Sequence, residues 1–296
     1  MKVLLVYNPY AGHKRAKKIL PQVEALFTEK KIDFDLRLTD YPKHAVEIVR
    51  QANFHQYDGV VASGGDGTLF EVVNGYFQNP SKKRIPLGIL PTGTGNAFAR
   101  DLNLDASRWQ DAVGVIRLAK PRKVDVGLFH THGQDVYYLN ILGLGFVADV
   151  TKTAHRLKIF GNISYTLGVF YQTILLNAHH LTIEIEGKVL ERENIFVEVS
   201  NTRYTANFLM APNAKIDDGL LDITLLGRLT RRRLLKCFPK IFTGEHIYLD
   251  EIETFQAKRL SVTTDIPKVL TPDGELLGIT PVTIECLHQA IEVFWK

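Results

Sequence analysis

The segment Val60–Gly75, which reads VVASGGDGTLFEVVNG, combines residue types suited to binding a phosphate group. A predicted buried strand ends here, and three glycines surround Asp66 just before helical periodicity begins. These glycines are Gly64, Gly65 and Gly67. Glycines let the backbone approach an anion, and a helix N-terminus adds a favourable dipole. A phosphate would repel Asp66 unless a cation lay between them, which predicts magnesium. The alternative is a tight turn capped by Asp66.

Two further glycine turns follow predicted strands in the same way. Pro91–Asn96 (PTGTGN) follows the strand Leu87–Leu90, and Asn8–Gly12 (NPYAG) follows Val3–Tyr7 and precedes the basic run His13–Arg15. Open α/β sheets bind ligands at the carboxyl ends of their parallel strands. Three such turns therefore predict a pocket for nucleotide phosphates. Neither a complete P-loop motif nor a GxGxxG fingerprint with its acidic follower occurs, which argues against those two folds.

The elements that must position these turns alternate between strand and helix over the first 120 residues. This alternation predicts a parallel sheet covered by helices on both sides. Strands are expected at Val3–Tyr7, Asp33–Leu38, Gly59–Ala62 and Leu87–Leu90. Helices are expected at Lys14–Lys30, Lys43–Ala52, Leu69–Phe77 and Ala97–Leu102.

After about residue 121, predicted strands follow one another, separated by turn signals such as Asp218-Gly219 and Asp273-Gly274. This pattern predicts a mostly antiparallel β domain, interrupted by helices near Tyr165–Asn177 and Thr230–Ile241. We therefore divide the chain into residues 1–122 and 123–296. The strands are expected at Lys123–Phe129, Asp135–Leu142, Leu181–Ile185, Asn194–Val199, Leu221–Leu226, Ser261–Thr264, Pro281–Glu285 and Ile291–Trp295.

The composition is that of a globular protein: 296 residues, 45% hydrophobic and 23% charged, with a net charge of +4. The two cysteines, Cys237 and Cys286, are expected to be buried free thiols, which suggests a reducing cytoplasm. No stretch approaches the roughly 20 apolar residues that span a bilayer, so the protein is expected to be soluble or peripheral at a membrane. The basic residues lack interleaved aromatics, which argues against nucleic acid.

The order of four motifs resembles the diacylglycerol kinase catalytic family, which includes bacterial lipid kinases and the sphingosine kinases. The motifs are NPxxG, GGDGTxxEVVNG, PxGTxNxxAR and a late DGE, and they extend over essentially the whole chain. The resemblance implies a phosphofructokinase-like α/β nucleotide domain and a C-terminal β-sandwich with helices. It also implies that ATP and Mg²⁺ serve to phosphorylate the primary hydroxyl of a membrane lipid such as diacylglycerol or a sphingoid base.

The resemblance also implies roles for individual residues. Of the acidic pair Asp273 and Glu275, one would take the proton of the lipid hydroxyl; alone, this segment would be interpreted as a hairpin turn. Lys215, Asp218 and Leu220 match a structural magnesium site, which otherwise would be interpreted as a turn before a strand. With the glycine turns, ATP contacts are expected at Asn8, Pro9, Tyr10, Ala11, Gly12, Thr39, Gly64, Gly65, Asp66, Gly67, Thr68, Leu69, Glu71, Gly93, Thr94 and Asn96.

One departure concerns Ala97, where many bacterial members have aspartate. A magnesium relay through that carboxylate would be altered here, and alanine resembles the sphingosine kinase branch. The run His155–Lys158, followed by Tyr165–Gly168, is similar to that branch too. There, basic residues before the helix reach the ATP phosphates, which makes Arg156 a candidate. The alternative for Arg156 is a solvated basic patch.

Two segments could contact lipid. Ile163–Leu176 is apolar on nearly every face, so it could floor an acyl-chain cavity or be buried in an ordinary core. Arg228–Lys236 (RLTRRRLLK) sets five cations beside leucines, which is consistent with an anionic membrane surface or with a solvated helix start. A homodimer is one option for the oligomeric state.

Two rival functions are considered. An NAD kinase or a phosphofructokinase-like sugar kinase would share the GGDG turn, but the late DGE, the GTGNAFAR turn and the apolar helix argue against both. A regulator that binds nucleotide or lipid without catalysis is favoured only by Ala97. The presence of Asp66, Asp273 and Glu275 argues against it.

Overall fold

The computed structural model describes residues 1–131, 133–156, 164–205 and 208–296, without the side chains of residues 155, 156, 164 and 165. The chain forms two compact units. The first comprises Met1–Val124 and Gln289–Lys296, and the second comprises Asp125–His288. The predicted combination of an α/β unit with a mostly antiparallel β unit is confirmed.

The first unit is built on a parallel sheet whose strand order is β4-β3-β1-β2. All of these neighbours pair in parallel, and the end of the last strand of the chain joins β4 through Val293 and Leu87. The central strands are buried on both faces, which explains their continuous apolar runs. The strands are β1 (Lys2–Tyr7), β2 (Asp33–Leu38), β3 (Gly59–Gly64) and β4 (Leu87–Pro91).

Helices of the first unit bury one face each. In α2 the buried side chains are Ala45 and Val49, one turn apart. The helix α5 was missed from the sequence, although its buried residues Trp109, Ala112, Val113 and Ile116 have helical spacing. The helices are α1 (Arg15–Glu29), α2 (His44–Gln51), α3 (Asp66–Gln78), α4 (Ala97–Asp101) and α5 (Trp109–Leu118).

Antiparallel pairing dominates the second unit, in which β9 pairs with β7, β8 and β12. The chain enters this unit within β5 and leaves it within β16. The strands are β5 (Pro121–Thr131), β6 (Gln134–Tyr138), β7 (Ile141–Gly145), β8 (His179–Ile185), β9 (Lys188–Ser200), β10 (Tyr204–Thr205), β11 (Phe208–Leu209), β12 (Leu221–Gly227), β13 (Ile252–Ala257), β14 (Arg259–Thr264), β15 (Leu270–Pro272) and β16 (Val282–Phe294).

The helices of the second unit are α6 (Phe146–Arg156), α7 (Ser164–Ile174) and α8 (Arg231–Cys237). An apolar cluster lies beneath them, and Phe146, Val147 and Phe238 pack against it. The cluster consists of Ile195, Phe196, Phe208, Met210, Leu226 and Leu234. No helix among the described residues is long and apolar enough to cross a membrane.

The bounds of the predicted elements differ from the structure in three regions. The strand predicted over Asp135–Leu142 is two strands, because the backbone N–H groups of Leu139 and Asn140 bond to a side chain instead of a neighbouring strand. The helix predicted to Ile241 ends as an α-helix at Cys237 and continues as a 3₁₀ turn, since Pro239 lacks a backbone donor.

The third difference is at the C-terminus, where two predicted strands, Pro281–Glu285 and Ile291–Trp295, belong to the single strand β16. The polar residues between them obscured its continuity. The cysteines are both free, as predicted, but only Cys237 is buried; Cys286 is half-buried.

Candidate active site

The three glycine turns of the first unit meet at the carboxyl end of its parallel sheet. Thr92 and Gly93 donate their backbone N–H groups to the carbonyl oxygen of Gly64, at 3.0 and 2.9 Å. The N–H group of Asn8 donates to the carbonyl oxygen of Ser63 at 2.9 Å. The turns that follow β1, β3 and β4 therefore form one connected backbone surface, as the sequence predicted.

Asp66 links two of these turns through its side chain. Its carboxylate Oδ1 accepts a hydrogen bond from the backbone N–H of Ala97 at 2.8 Å, and its own N–H donates to the carbonyl oxygen of Gly95 at 3.0 Å. The helix α3 begins at Asp66 itself, with Gly65 in the preceding position. The bond to Ala97 is not that of a capping aspartate, because it joins the start of α3 to the start of α4.

Close backbone contact explains two of the glycines. A Cβ atom on Gly93 would lie 2.5 Å from the backbone nitrogen of Gly65, and one on Gly65 would lie 2.8 Å from the carbonyl oxygen of Gly95. Neither neighbour is a flexible side chain that could move aside. Glycine is therefore required at these two positions for the turns to pack together.

Arg15, at the start of α1, presents an unsatisfied donor beside the turns. Its Nη2 atom donates to the carbonyl oxygen of Thr92 at 3.3 Å. Its Nε atom is buried and has no hydrogen-bond partner within the described part of the chain. A buried guanidinium donor without a partner is unfavourable, and an anion such as phosphate would satisfy it. The sequence marked Arg15 only as a basic neighbour of the first turn.

Most of the predicted ATP contacts lie in or beside these turns. The Asn8 side chain donates from Nδ2 to Thr68 Oγ1 at 2.9 Å, and the Asn96 side chain donates to the carbonyl oxygen of Gly93 at 2.8 Å. The side chains of Tyr10 and Thr94 are exposed. The remaining turn residues, Pro9, Ala11, Gly12 and Gly67, belong to the same segments.

Three of the predicted ATP contacts, Glu71, Leu69 and Thr39, take part in other interactions within the first unit. The Glu71 carboxylate accepts backbone hydrogen bonds from Lys43 and Ala45, at the start of α2. Leu69 is 4% exposed, in the core. Thr39 is buried at the end of β2, where its N–H group donates to the carbonyl oxygen of Tyr7.

In the second unit, Asp273 is buried and its carboxylate is used by the backbone. Oδ1 accepts from the N–H groups of Asn140 and Ile141, at 2.9 and 3.0 Å, and Oδ2 accepts from that of Leu139 at 3.1 Å. Burial raises the pKa of Asp273 to about 6, against the opposing effect of these hydrogen bonds. Asp273 therefore fixes the loop that carries it to the end of β6 and the start of β7.

Glu275 lies two residues further along this loop and has different surroundings. Its side chain is exposed, and its carboxylate has no hydrogen-bond partner among the residues that the structure describes. Its backbone N–H donates to the carbonyl oxygen of Pro272 at 2.8 Å, which holds the loop tight. The two acidic residues of the late motif are thus distinct: one is engaged by backbone groups, and the other is available to a ligand.

The loop predicted to bind structural magnesium lies just before β12. Asp218 is exposed, and its Oδ1 accepts from the N–H of Leu220 at 3.1 Å. Burial raises the pKa of nearby Asp222 to about 6, and the charge of Asp218 adds to this effect. In the described ranges, no group of three or more His, Cys, Asp or Glu side chains could hold a metal. Of the three predicted ligands Lys215, Asp218 and Leu220, Asp218 is the one that offers a carboxylate, and this carboxylate is exposed.

Two buried carboxylates were missed from the sequence. Asp125 in β5 is fully buried; it accepts from the N–H of Gly219 at 2.6 Å and lies 2.9 Å from His288 Nδ1. It therefore holds the loop that contains Asp218. Glu198 in β9 is 1% exposed. In both cases a single charged residue interrupts an apolar run, and this pattern could have identified them.

The remaining predicted contact, Arg156, is the last residue of α6, and its side chain lies outside the described part of the structure. The same applies to the rest of the run His155–Lys158 and to Ile163. The helix α7 is only partly in the core: Val169 and Thr173 are buried, whereas Phe170, Tyr171 and Ile174 are exposed.

Comparison with known proteins agrees with this geometry. The family model described as "Diacylglycerol kinase catalytic domain" matches residues 2–129, and the one described as "YegS C-terminal NAD kinase beta sandwich-like domain" matches residues 140–295. A diacylglycerol kinase from Bacillus subtilis (strain 168) is 30% identical, with 98% of this chain and 94% of the relative aligned. Sphingosine kinase 1 from Arabidopsis thaliana is 26% identical, with 100% of this chain and 72% of the relative aligned.

A solved structure supports the same assignment. The crystal structure of a diacylglycerol kinase from Bacillus anthracis str. Sterne has a TM-score of 0.71 and 26% sequence identity, and the match covers 100% of this chain and 97% of that one. The order of motifs, the connected glycine turns and the family models therefore agree over both units. The chain belongs to the diacylglycerol kinase catalytic domain family.

Proposed function

We propose that this protein is an ATP-dependent lipid kinase, which transfers the γ-phosphoryl group of ATP to the primary hydroxyl of a lipid. The observation that carries the proposal is the bond between Asp66 and the N–H of Ala97, which joins two glycine turns beside the unsatisfied Nε of Arg15. Phosphoryl transfer depends mainly on positioning and on neutralising charge. A backbone surface with a buried cationic donor supplies both.

On this proposal the three turns bind the ATP phosphates through backbone N–H groups, and Arg15 donates to a phosphate oxygen. Magnesium would neutralise charge on the phosphates. Asp66 fits as its protein ligand, because Oδ1 is fixed by Ala97 and Mg²⁺ commonly takes one or two carboxylates plus phosphate oxygens and water. With alanine at position 97, Asp66 is the carboxylate that this pair of turns offers.

Glu275 is the proposed general base, which orients the lipid hydroxyl and accepts its proton. The pKa of Asp273, near 6, would suit a base better than an ordinary carboxylate does. However, both oxygens of Asp273 are engaged by backbone N–H groups, and geometry decides before pKa does. We therefore assign Asp273 to positioning and Glu275 to proton transfer.

The rival assignments have less support. The family model over residues 2–129 is that of the diacylglycerol kinase catalytic domain, and the curated relatives aligned over nearly the whole chain are diacylglycerol and sphingosine kinases, which disfavours an NAD kinase or a sugar kinase. The model over residues 140–295, described as NAD kinase beta sandwich-like, does not discriminate between these functions. A regulator without catalysis was suggested only by Ala97. In the structure the N–H group of this residue bonds to Asp66, so alanine there does not disconnect the turns.

The test is transfer of radiolabel from ATP to diacylglycerol, sphingosine, ceramide and NAD, measured side by side. We expect label in at least one lipid and none in NAD. In the variant Asp66→Asn, turnover should fall at least a hundredfold, since the amide keeps an acceptor for the Ala97 N–H but loses the charge that binds magnesium.

The matched control is Asp33→Asn, the same chemical change at an exposed position at the start of β2, which should leave turnover unaltered. Near-normal turnover in Asp66→Asn would remove the proposed role of Asp66. If label appeared in NAD alone, the proposed lipid kinase would be wrong and the protein would be an NAD kinase.

A specific observation favours peripheral binding at a membrane. Phe170 and Phe238 pack with their ring centroids 6.3 Å apart, and Arg231 Nε donates to the carbonyl oxygen of Ile174 at 3.0 Å, so α7 and α8 form one surface. We call it the α7–α8 surface. Its exposed apolar side chains are Phe170, Tyr171, Ile174, Leu175, Leu235 and Phe242. Its exposed cations are Arg231, Arg232, Lys236 and Lys240.

This combination fits an anionic lipid bilayer, because apolar side chains insert between acyl chains while cations remain at the headgroups. A monomeric protein seldom exposes so many large apolar side chains in one place without a binding role. The proposed occupant of the α7–α8 surface is therefore an anionic lipid membrane.

A further inference from the structure

The strand β2 ends the parallel sheet of the first unit and leaves one edge unpaired. It pairs with β1 along its whole length without a bulge, and no described strand pairs with its outer side. Its sequence, DFDLRL, contains no proline or lysine. Natural proteins usually block an exposed edge with such a residue, a bulge or a covering segment, because a free edge pairs with other chains. The outer edge of β2 is therefore open to a further strand.

Hydrogen bonds at the two ends of β2 show which of its backbone groups face outward. The N–H group of Asp33 donates to the carbonyl oxygen of Met1, and that of Thr39 donates to the carbonyl oxygen of Tyr7, both at 2.9 Å. Backbone groups of successive residues alternate between the two sides of a strand, so the odd-numbered residues face β1. The backbone groups that point away from β1 are those of Phe34, Leu36 and Leu38.

The side chains of β2 form a charged set and an apolar set on opposite faces of the sheet. Asp35 and Arg37 belong to the charged set, and Tyr57 Oη donates to Oδ2 of Asp35 at 2.8 Å, which fixes that carboxylate. The apolar set faces α1, where the rings of Phe34 and Phe27 pack edge to face with centroids 5.4 Å apart. Leu38, at the end of the apolar set, is 40% exposed.

These features select one register for antiparallel pairing of β2 with a second copy of itself. The outward backbone groups must lie opposite one another, so the registers that pair most of the strand have a two-fold axis at residue 35, 36 or 37. An axis at Asp35 or at Arg37 places that charged residue opposite its own copy. An axis at Leu36 instead places each Asp35 opposite Arg37 of the second copy, and each Leu38 opposite Phe34. Hydrogen bonding and charge therefore agree on the axis at Leu36.

The surroundings of β2 fit the same register. A shallow groove beside the strand is lined in part by Thr28 and Phe34, and it lies where Leu38 of the second copy would pack. The strand at the other end of the pairing order, β13, lacks this complementarity. Its one charged residue, Glu253, already pairs with Arg192 at 3.1 Å. Self-pairing is therefore favoured at β2 and not at β13.

We propose that β2 is a dimerisation surface, on which β2 of a second copy of this chain pairs antiparallel about a two-fold axis at Leu36. The pairs that exchange backbone hydrogen bonds are Leu36 with its own copy and Phe34 with Leu38. An Asp35–Arg37 ion pair lies on each side of the axis. An interface of one strand pair is small, so the dimer is reversible, with a dissociation constant on the order of 10 μM. A monomer would contradict this inference and leave the proposed lipid kinase unaffected.

The first test reverses the two charges separately. Sedimentation equilibrium of the wild-type protein between about 1 and 200 μM should show monomer and dimer in equilibrium. Arg37→Glu and Asp35→Lys should each weaken dimerisation about tenfold, because each places like charges opposite one another on both sides of the axis. An equimolar mixture of the two variants should restore the dimer, since both charge pairs are then complementary. The control is Lys188→Glu, a charge reversal at an exposed position of β9, which should dimerise like the wild-type protein.

The second test measures the register without altering a charge. Leu36→Cys places two thiols at the axis, where the Cα atoms of a hydrogen-bonded pair lie about 5.5 Å apart, within the range of a disulfide. Leu38→Cys is the matched control, because its two copies would be separated by about 13 Å along the strands. Oxidation should crosslink Leu36→Cys into a dimer on a non-reducing gel and leave Leu38→Cys uncrosslinked. The wild-type protein, treated in the same way, shows any crosslinking through Cys237 or Cys286.

Three results would overturn the inference. The first is a wild-type protein that stays monomeric over the whole concentration range. The second is a dimer that survives both charge reversals, which would place the interface elsewhere. The third is a wrong register, seen either as crosslinking of Leu38→Cys rather than Leu36→Cys or as a mixture of the folded charge variants that does not dimerise. Circular dichroism checks that each variant is folded.

Discussion

At the scale of single residues, Asp273 and Glu275 lie two positions apart but have opposite surroundings. The Asp273 carboxylate accepts three backbone N–H groups from residues 139–141, while the Glu275 side chain is exposed. Replacing Asp273 should therefore lower the stability of the fold, and replacing Glu275 should lower turnover. Such a separation is testable because stability and turnover are measured independently.

We expect Asp273→Ala to lower the free energy of unfolding by about 3 kcal/mol or more, because it leaves buried N–H groups without acceptors. This corresponds to a fall in Tm of roughly 6–12 °C for a protein of this size. Glu275→Gln should leave Tm unaltered and lower kcat at least a hundredfold, with little change in KM for ATP. Thermal denaturation followed by circular dichroism, together with steady-state kinetics, measures both effects.

The opposite pattern would reverse the two assignments. If Asp273→Asn, which keeps one acceptor oxygen, folded normally and lost turnover while Glu275→Gln remained active, Asp273 would be the base. Equal and complete loss of turnover in both, at unaltered Tm, would mean that the two carboxylates act together.

The acidic pair was predictable from the sequence, but the different roles of its members were not. The groups that engage Asp273 belong to residues more than 130 positions earlier in the chain, and the motif does not specify them. Glu198 was missed for a related reason. An apolar run with one glutamate is compatible with an exposed edge position, and only the pairing of β9 on both sides shows that it is buried.

At the scale of elements, the site of the first unit depends on how closely the turns after β3 and β4 pack. We expect Gly93→Ala to force them apart, since the new Cβ would lie 2.5 Å from the backbone nitrogen of Gly65. Displacing these N–H groups should weaken ATP binding at least tenfold. Isothermal titration of ATP with Mg²⁺ measures the effect, and circular dichroism checks that the variant is folded.

Gly114→Ala is the matched control, because a Cβ there meets nothing within 4 Å. This glycine lies within α5, where alanine is expected to stabilise the helix by about 0.5–1 kcal/mol without changing ATP binding. If Gly93→Ala bound ATP as tightly as Gly114→Ala, the contact between the turns would not position the nucleotide.

The alternating pattern of the first unit was predictable because buried parallel strands and amphipathic helices have distinct periods. The strands of the second unit were located less well. The strand β6 ends because the backbone N–H groups that follow it donate to the side chain of Asp273 instead of to a neighbouring strand. This long-range interaction leaves no trace in the hydrophobic periodicity of the sequence. The late strand β16 was divided in the prediction because the polar residues near Gln289 resemble a turn.

At the scale of the whole molecule, a net charge of +4 arises from 36 basic and 32 acidic residues, so the overall charge attracts an anionic membrane only weakly. The local arrangement is more informative. The α7–α8 surface sets exposed cations beside exposed apolar side chains, and each cation near an anionic bilayer contributes about 1 kcal/mol. Membrane binding should therefore depend on this surface rather than on net charge.

We expect the protein to cosediment with phosphatidylcholine vesicles that contain phosphatidylglycerol, and less with vesicles that lack it. The double variant Arg232→Gln, Lys236→Gln should weaken binding to the anionic vesicles about thirtyfold, the equivalent of about 2 kcal/mol, and reduce its dependence on salt. The double variant Tyr171→Ser, Ile174→Ser should weaken binding to both kinds of vesicle, because it removes side chains that insert among acyl chains.

Val189→Ser is the control for the apolar variant, since Val189 is 59% exposed on β9, away from the α7–α8 surface. It should bind vesicles like the wild-type protein. Vesicle binding that survived both double variants would place the membrane contact elsewhere on the chain. Turnover of a short-chain lipid in solution separates docking from chemistry: variants of the α7–α8 surface should retain it while losing turnover of lipid presented in vesicles, because they alter access to the membrane and leave the glycine turns and Glu275 intact.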